Sequence, residues 1–463
     1  MPDERYRLVI VGAGSAGLAG ADFAARLGVS VALVERDRIG GDCTWTGCVP
    51  SKALLHIADS RLEFASAMAF VQEAVQRVYG FETPEVLARR GIALVSGDGR
   101  FLDPHTLDVS GRRIRAERIL IATGAQPEIP NIAGLDAVSY LTYESVFELT
   151  ALPARLVVLG GGPVGVELAQ AFQRLGSQVT LVDRHDRVAS VADPEASAIL
   201  RAALARDGVT FRLRARVERV SASPGGRVEV DLGSEVLPAG ALLVAAGRRP
   251  MLDGLDLDRA AVAWSPDGVV VDDWLRTTQK HIYACGDALG SFQFTHYASW
   301  QAIIAVRNAL LPGRSRGRLA SVPWALFTNP EVAQVGLTEA QARERYGSVA
   351  RVVRWPTERI DRAVIEGDRG GLLKLVHLPN GRLLGGTIVS ARAGELADEL
   401  ALALSQQLTV RDVAAAIHVY PTYGFALQQA SAEAYLEQLT RGRFGGISRL
   451  LARGWRATLQ GYP

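Results

Sequence analysis

The chain spells out one supersecondary unit twice. Leu8–Val11 is a short, fully apolar run of the kind that forms a buried parallel strand. It leads into Gly12-Ala13-Gly14-Ser15-Ala16-Gly17, then an Ala-rich helical stretch to Leu27, stopped at Gly28. A second strand, Ser30–Val34, ends on Glu35. The series recurs with Leu156–Leu159, Gly160-Gly161-Gly162-Pro163-Val164-Gly165, a helix to Leu175, the stop Gly176, and a strand Gln178–Val182 ending on Asp183. Both copies run 23 residues from first glycine to carboxylate. One GxGxxG alone is weak, because a tight strand-to-helix turn needs no ligand. Two copies, each between strand and helix and each followed by an acid, make chance a poor account. Glycines let the backbone approach a diphosphate, the helix N-terminus offers it free N–H groups, and the carboxylate receives ribose hydroxyls. Two dinucleotides in one chain are expected.

A second echo supports duplication. Ile119-Leu120-Ile121-Ala122-Thr123-Gly124 matches Leu242-Leu243-Val244-Ala245-Ala246-Gly247, each an apolar strand turning at glycine downstream of one motif. The expected architecture is α/β, with two nested Rossmann-type dinucleotide-binding domains and a C-terminal α+β domain. The expected divisions are 1–150, 151–274 and a return segment 275–320, then 321–440 and a tail 441–463. The 321–440 division rests on short alternating runs (Val349–Trp355, Leu372–Leu378, Leu384–Val389) followed by helical stretches near 393–407 and 425–440. In the tail, Ile447, Leu450, Leu451, Trp455 and Leu459 share one helical face and Arg449, Arg453 and Arg456 the other. Two readings apply: a helix packed on its own dimer, or a peripheral membrane helix suited to a quinone acceptor.

Composition sets limits. Over 463 residues, 51 basic and 49 acidic side chains leave a net charge of +2, which argues against nucleic acid as partner. No apolar run reaches the ~18 residues of a membrane span. Met1–Arg7 leads directly into the first strand with no secretory signal, so a cytoplasmic, reducing setting is expected. Three cysteines are too few for a disulfide framework. Cys43 and Cys48 therefore need another explanation. Zinc would require further Cys or His ligands, and the only other cysteine, Cys285, lies in a different motif. Two inert buried thiols are the plain alternative. Against it, Gly40-Gly41-Asp42-Cys43-Thr44-Trp45-Thr46-Gly47-Cys48-Val49-Pro50-Ser51-Lys52 follows a nucleotide unit and enters a helical stretch. A helix N-terminus favours thiolate, which points to a redox-active pair.

With these motifs the chain resembles the flavin-dependent pyridine nucleotide–disulfide oxidoreductases, the group of dihydrolipoamide dehydrogenase, glutathione reductase and mercuric reductase. The resemblance reaches to about residue 440. It implies FAD on Gly12, Gly14, Gly17 and Glu35, with Gly41, Thr123 and Gly124 in the same set. It places Asp287, in the Cys285-Gly286-Asp287 turn, on the flavin ribityl chain, and Thr295 and His296 beside the flavin. It implies a nicotinamide nucleotide on Gly160, Gly162, Gly165, Asp183 and Gly247. Cys48 would lie against the flavin and Cys43 would face substrate, with Lys52 and Glu167 an ion pair near flavin N5. Hydride would pass from NAD(P)H to the flavin, which then opens the Cys43–Cys48 disulfide. The C-terminal domain would make a homodimer whose partner completes the active site. No resident metal is implied. Asp183 favours NADH over NADPH by repelling a 2′-phosphate, against which Arg184 and Arg187 could pair with one.

The chain departs from the group at one place. Dithiol-handling members carry His-Pro-Thr-x-x-Glu, where histidine is the acid–base; here the stretch is Tyr420-Pro421-Thr422-Tyr423-Gly424-Phe425. His418, two residues earlier, is a displaced base or a structural histidine. Tyrosine, with a reference pKa of about 10, is a poor base near neutral pH. Mercuric reductases also carry tyrosine there, but add a C-terminal cysteine pair, and no cysteine follows Cys285 here. The expected function is an FAD-dependent NAD(P)H oxidoreductase with a small-molecule acceptor of quinone or dye type. The alternatives are a dihydrolipoamide dehydrogenase-type reductase, a mercuric reductase-like enzyme without the cysteine pair, and a redox-sensing flavoprotein without turnover.

Overall fold

The computed structural model describes residues 4–60, 62–440, 448 and 451. The side chains assigned to the two faces of the tail fall, but for Leu451, outside the described residues. The chain forms two compact units: Met1–Arg184 with Gly208–Ala320, and His185–Asp207 with Ser321–Pro463.

In the first unit, β1 (Glu4–Val11) lies between β2 (Val31–Glu35) and the strand Arg112–Ile121, parallel to both. The strand Ile282–Ala284 returns beside Arg112–Ile121, also parallel. Leu8, Val9, Ile10 and Val11 are all buried, because a parallel sheet is covered on both faces. Between β1 and β2, α1 (Ser15–Arg26) begins at Gly14 and is capped by Leu27, with Gly28 in the left-handed region just beyond. The second copy repeats this plan. Its strands run in the order Thr210–Leu213, Gln178–Asp183, Arg155–Leu159, Ala241–Val244, all parallel, and the helix Pro163–Arg174 begins at Gly162.

The first glycine of each motif is required by the same close approach. Gly12 has φ +104°, and a Cβ there would stand 2.3 Å from the Ala122 carbonyl oxygen. Gly160 has φ +115°, and its Cβ would stand 2.2 Å from the Ala245 oxygen. Ala122 and Ala245 directly follow the two echoed return strands, so the echo in sequence is a repeated contact in space.

The second unit holds a five-stranded antiparallel sheet in the order Trp324–Leu326, Glu331–Gly336, Leu383–Ser390, Leu372–His377, Arg351–Pro356. The two strands Leu383–Ser390 and Leu372–His377 are buried along their whole length rather than alternating. Helices Pro194–Asp207, Ala393–Ser405 and Phe425–Thr440 pack on them. Lys374 is inside this core, 1% exposed, and its ammonium meets the equally buried Asp193 carboxylate at 2.8 Å. Glu195 and Glu339 complete its surroundings at 3.1 and 3.3 Å.

Candidate active site

Cys43 lies on a single-turn helix, α2 (Gly41–Trp45), and Cys48 opens the longer helix α3 (Cys48–Ala58). Gly40 and Gly41, both at positive φ, turn the chain from β2 into α2, and Gly41 packs against Gly14 of the first glycine motif. A Cβ on Gly41 would stand 2.9 Å from the Gly14 Cα. The redox segment is thus backed directly onto the first nucleotide turn.

The two thiols are half-buried and hydrogen-bonded to each other, and they are not equivalent. The hydrogen bond from Cys43 pulls the Cys48 thiol down to about 6, helped by Thr295 and Lys52 and opposed by burial. That same bond, with burial, pushes the Cys43 thiol up. Thr295 opens the helix Thr295–Leu310, and its hydroxyl is 3.2 Å from the Cys48 sulfur. The start of α3 adds free N–H groups and a positive dipole end to the same sulfur. Lys52, one turn along α3, meets the buried Glu167 carboxylate of the second glycine-motif helix at 2.7 Å. His296 stacks on Phe294 with ring centroids 5.5 Å apart.

The two nucleotide turns are built alike. The Ala13 N–H donates to Glu35 at 2.7 Å, and the Gly161 N–H donates to Asp183. Each carboxylate is held at the mouth of its glycine turn by the second residue of the motif. Gly17 and Gly165 let helix and turn close: a Cβ at either would fall within 2 Å of the Gly12 or Gly160 carbonyl oxygen. Gly162 and Gly124 have no atom within 4 Å of an added Cβ, so they border open space. The Thr123 hydroxyl beside Gly124 is buried with no partner. So is the Thr46 hydroxyl, between the cysteines. Open glycine cradles, a carboxylate at each mouth and orphaned hydroxyls fit a dinucleotide in each half. Gly286, at positive φ, is held by Gln301 at 2.9 Å and presents Asp287, whose carboxyl burial pushes upward against the pull of Arg248. Gly247 ends the second return strand beside Glu128, and Arg184 is exposed after Asp183.

Tyr420 and His418 belong to the second unit. The Tyr420 hydroxyl donates to Asp361 at 2.6 Å, and that bond raises its pKa. Its ring meets Phe425 edge-on at 5.5 Å. His418 has Nδ1 3.0 Å from the Ala416 carbonyl and Nε2 2.6 Å from Glu399. Both ring nitrogens are thus occupied by oxygens, of the Ala416 carbonyl and the Glu399 carboxylate, rather than by a thiol.

Sequence reasoning missed Asp42, Tyr143, Arg248, Glu399 and Asp361. Arg248 carried a signal, since it follows the glycine of the second echoed strand. Its guanidinium bonds Asp287 at 2.8 Å, Asp42 at 2.6 Å and the Tyr143 hydroxyl at 3.3 Å.

Residues 6–302 match the pyridine nucleotide-disulphide oxidoreductase family, and residues 322–431 match that family's dimerisation domain. A mercuric reductase of Bacillus cereus is 35% identical over 92% of this chain and 71% of its own length. A dihydrolipoyl dehydrogenase of Bacillus subtilis (strain 168) is 32% identical over 91% and 97%. The HOCl-induced flavoprotein disulfide reductase RclA from Escherichia coli superimposes with a TM-score of 0.87 at 32% identity, covering 92% of this chain and 99% of that one. A Cu(II) complex of RclA matches equally well, at a TM-score of 0.87 and 32% identity over 94% and 100%. Duplicated glycine turns, a paired dithiol at a helix start and these matches along both units place the chain in the pyridine nucleotide-disulphide oxidoreductase family.

Proposed function

We propose that the protein oxidises NADH and delivers the electrons to an acceptor that needs no protein base, of quinone or dye type. The family is FAD-dependent, and its dimerisation domain supports a homodimer. Bound FAD supplies the electron transfer between nicotinamide and dithiol. Around it this chain's residues have separable tasks. The glycine turns with Glu35 and Asp183 bind the two nucleotides. Lys52, fixed by Glu167, keeps positive charge near the pair. The hydrogen bond from Cys43, with help from Thr295, holds Cys48 as thiolate, while Cys43 keeps its proton.

The observation that carries the choice of acceptor is the state of Tyr420 and His418. Reducing a small disulfide requires a group that takes the Cys43 proton and returns it to the leaving thiolate. Tyr420 is committed to Asp361, and both His418 nitrogens are committed to oxygens. NADH oxidation by the purified enzyme with quinones, dyes, lipoamide and glutathione disulfide in parallel tests this. Rapid turnover with quinones and slow turnover with both disulfides is expected; equal rates overturn it.

A second reading is supported by the dithiol itself. Thiolates are soft ligands that bind a soft metal ion without a base, and the similar proteins include mercuric reductases and a Cu(II) complex of RclA. A thiophilic metal ion would then be the acceptor. Hg(II)- or Cu(II)-dependent NADH oxidation that exceeds the quinone rate would favour it.

A further inference from the structure

We propose that Asp42 is a positioning residue for the dithiol, locked in place by the fork of Arg248. The proposal deepens the reading of Cys43–Cys48 as a redox pair and rests on it.

Asp42 acts at both ends of the segment that carries the two sulfurs. Its own backbone leads into Cys43. Its carbonyl oxygen accepts the N–H of Thr46 at 2.9 Å and of Gly47 at 2.5 Å. Gly47 is the cap residue of α3, and the next residue is Cys48. The contact is tight enough to demand glycine, since a Cβ on Gly47 would stand 2.8 Å from the Asp42 oxygen. One residue therefore sets where the loop starts and where it closes.

A five-residue helix has too few internal hydrogen bonds to fix itself. The side chain of Asp42 provides an outside anchor: Arg248 Nη2 donates to its carboxylate at 2.6 Å. The guanidinium is itself held at its other nitrogens. Nη1 is held by Asp287 at 2.8 Å, Nε by the Tyr143 hydroxyl at 3.3 Å, and the plane lies 5.2 Å from the Tyr143 ring. Tyr143 also donates to Asp42 at 3.2 Å. Only a planar fork satisfies these directions together; an ammonium carries the charge without the geometry. Arg248 directly follows Gly247 at the end of the second nucleotide half, so that half reaches the Asp42 carboxylate through this side chain.

Closing Cys43–Cys48 forms the S–S bond and releases two electrons and the Cys43 proton; oxidised dithiothreitol takes up the electrons as its own S–S bond breaks, with that proton and one from water. The equilibrium of that exchange measures how well the loop holds the sulfurs together. The test uses the FAD-loaded full chain, equilibrated anaerobically with reduced and oxidised dithiothreitol, then alkylated and weighed. Asp42→Ala should shift the equilibrium about tenfold towards the dithiol, and Arg248→Lys should do the same although it keeps the charge. Asp42→Asn retains an oxygen for Nη2 and should stay within about twofold of the parent. Asp42→Ala and Arg248→Lys both at the parent value overturn the proposal. Asp42→Asn falling as far as Asp42→Ala overturns it too, because charge rather than position would then be at work. If Asp42→Ala does not fold, Arg248→Lys and Asp42→Asn decide between these outcomes. A parent chain that forms no Cys43–Cys48 disulfide at any dithiothreitol ratio overturns the redox-pair reading itself, and the proposal with it.

Discussion

Glu35 and Asp183 hold the same place in two copies of one turn, each accepting the N–H of the second residue of its glycine motif. A carboxylate so fixed presents its charge where an adenosine ribose would lie, and repels a phosphate on that ribose. The kcat/KM for NADH is therefore expected to exceed that for NADPH by about tenfold, or ~1.4 kcal/mol. Asp183→Asn should narrow the gap. Steady-state rates with both nucleotides check this, and a preference for NADPH would assign the site to Arg184.

The second and third motif glycines of the nicotinamide half do different work, so their alanine variants should fail differently. Gly162→Ala meets open space and should fold normally, with KM for NADH raised about tenfold by loss of close diphosphate approach. Gly165→Ala would drive a Cβ to 1.9 Å from the Gly160 carbonyl oxygen and should unfold this half. Thermal melts beside nucleotide titrations separate the two.

The reduced enzyme should show long-wavelength absorbance from the Cys48 thiolate against the flavin. Because hydrogen bonding from Cys43 pulls the Cys48 thiol down to about 6, that absorbance should be full at pH 8 and fade as pH falls through about 6. Cys48→Ser should abolish it at every pH. A Cys48→Ser protein that kept the band would mean the roles of the two cysteines are reversed.

Replacing Tyr420 by His and Phe425 by Glu together should raise turnover with lipoamide by ~10²-fold, the lower end of what a positioned acid–base contributes. Dye reduction should change little. If the parent enzyme already reduces lipoamide as fast as quinones, another group serves as the base.

What could be read in the sequence was what lies close along the chain. The glycine turns, their carboxylates and the cysteine pair are local patterns, and the repeat of each pattern supplied its own control. Arg248 and Asp42 are 206 positions apart and share no local pattern, so only the fold brings them together. The engagement of His418 was equally hidden, since His418 is in a loop and Glu399 lies on the helix Ala393–Ser405. Strands Leu372–His377 and Leu383–Ser390 looked alternating because short windows ending in Gly or Pro mimic that period. Their full burial comes from the helix Ala393–Ser405 that follows, from Phe425–Thr440, and from Pro194–Asp207 far earlier in the chain.

The bond between Lys374 and Asp193 also dictates an order of events during synthesis. Residues 185–207 leave the ribosome long before residue 321, yet they belong to the unit that begins there. At roughly 5–20 residues per second, the helix Pro194–Asp207 waits several seconds or more for its sheet. Until Lys374 arrives, the Asp193 carboxylate is left in water, and the apolar face behind it is exposed. A fragment starting at Ser321 would bury a lysine with no aspartate, and a fragment ending at Ala320 would expose a helix with no sheet. A cut between Ala320 and Ser321 therefore parts the helix Pro194–Asp207 from its sheet and Asp193 from Lys374.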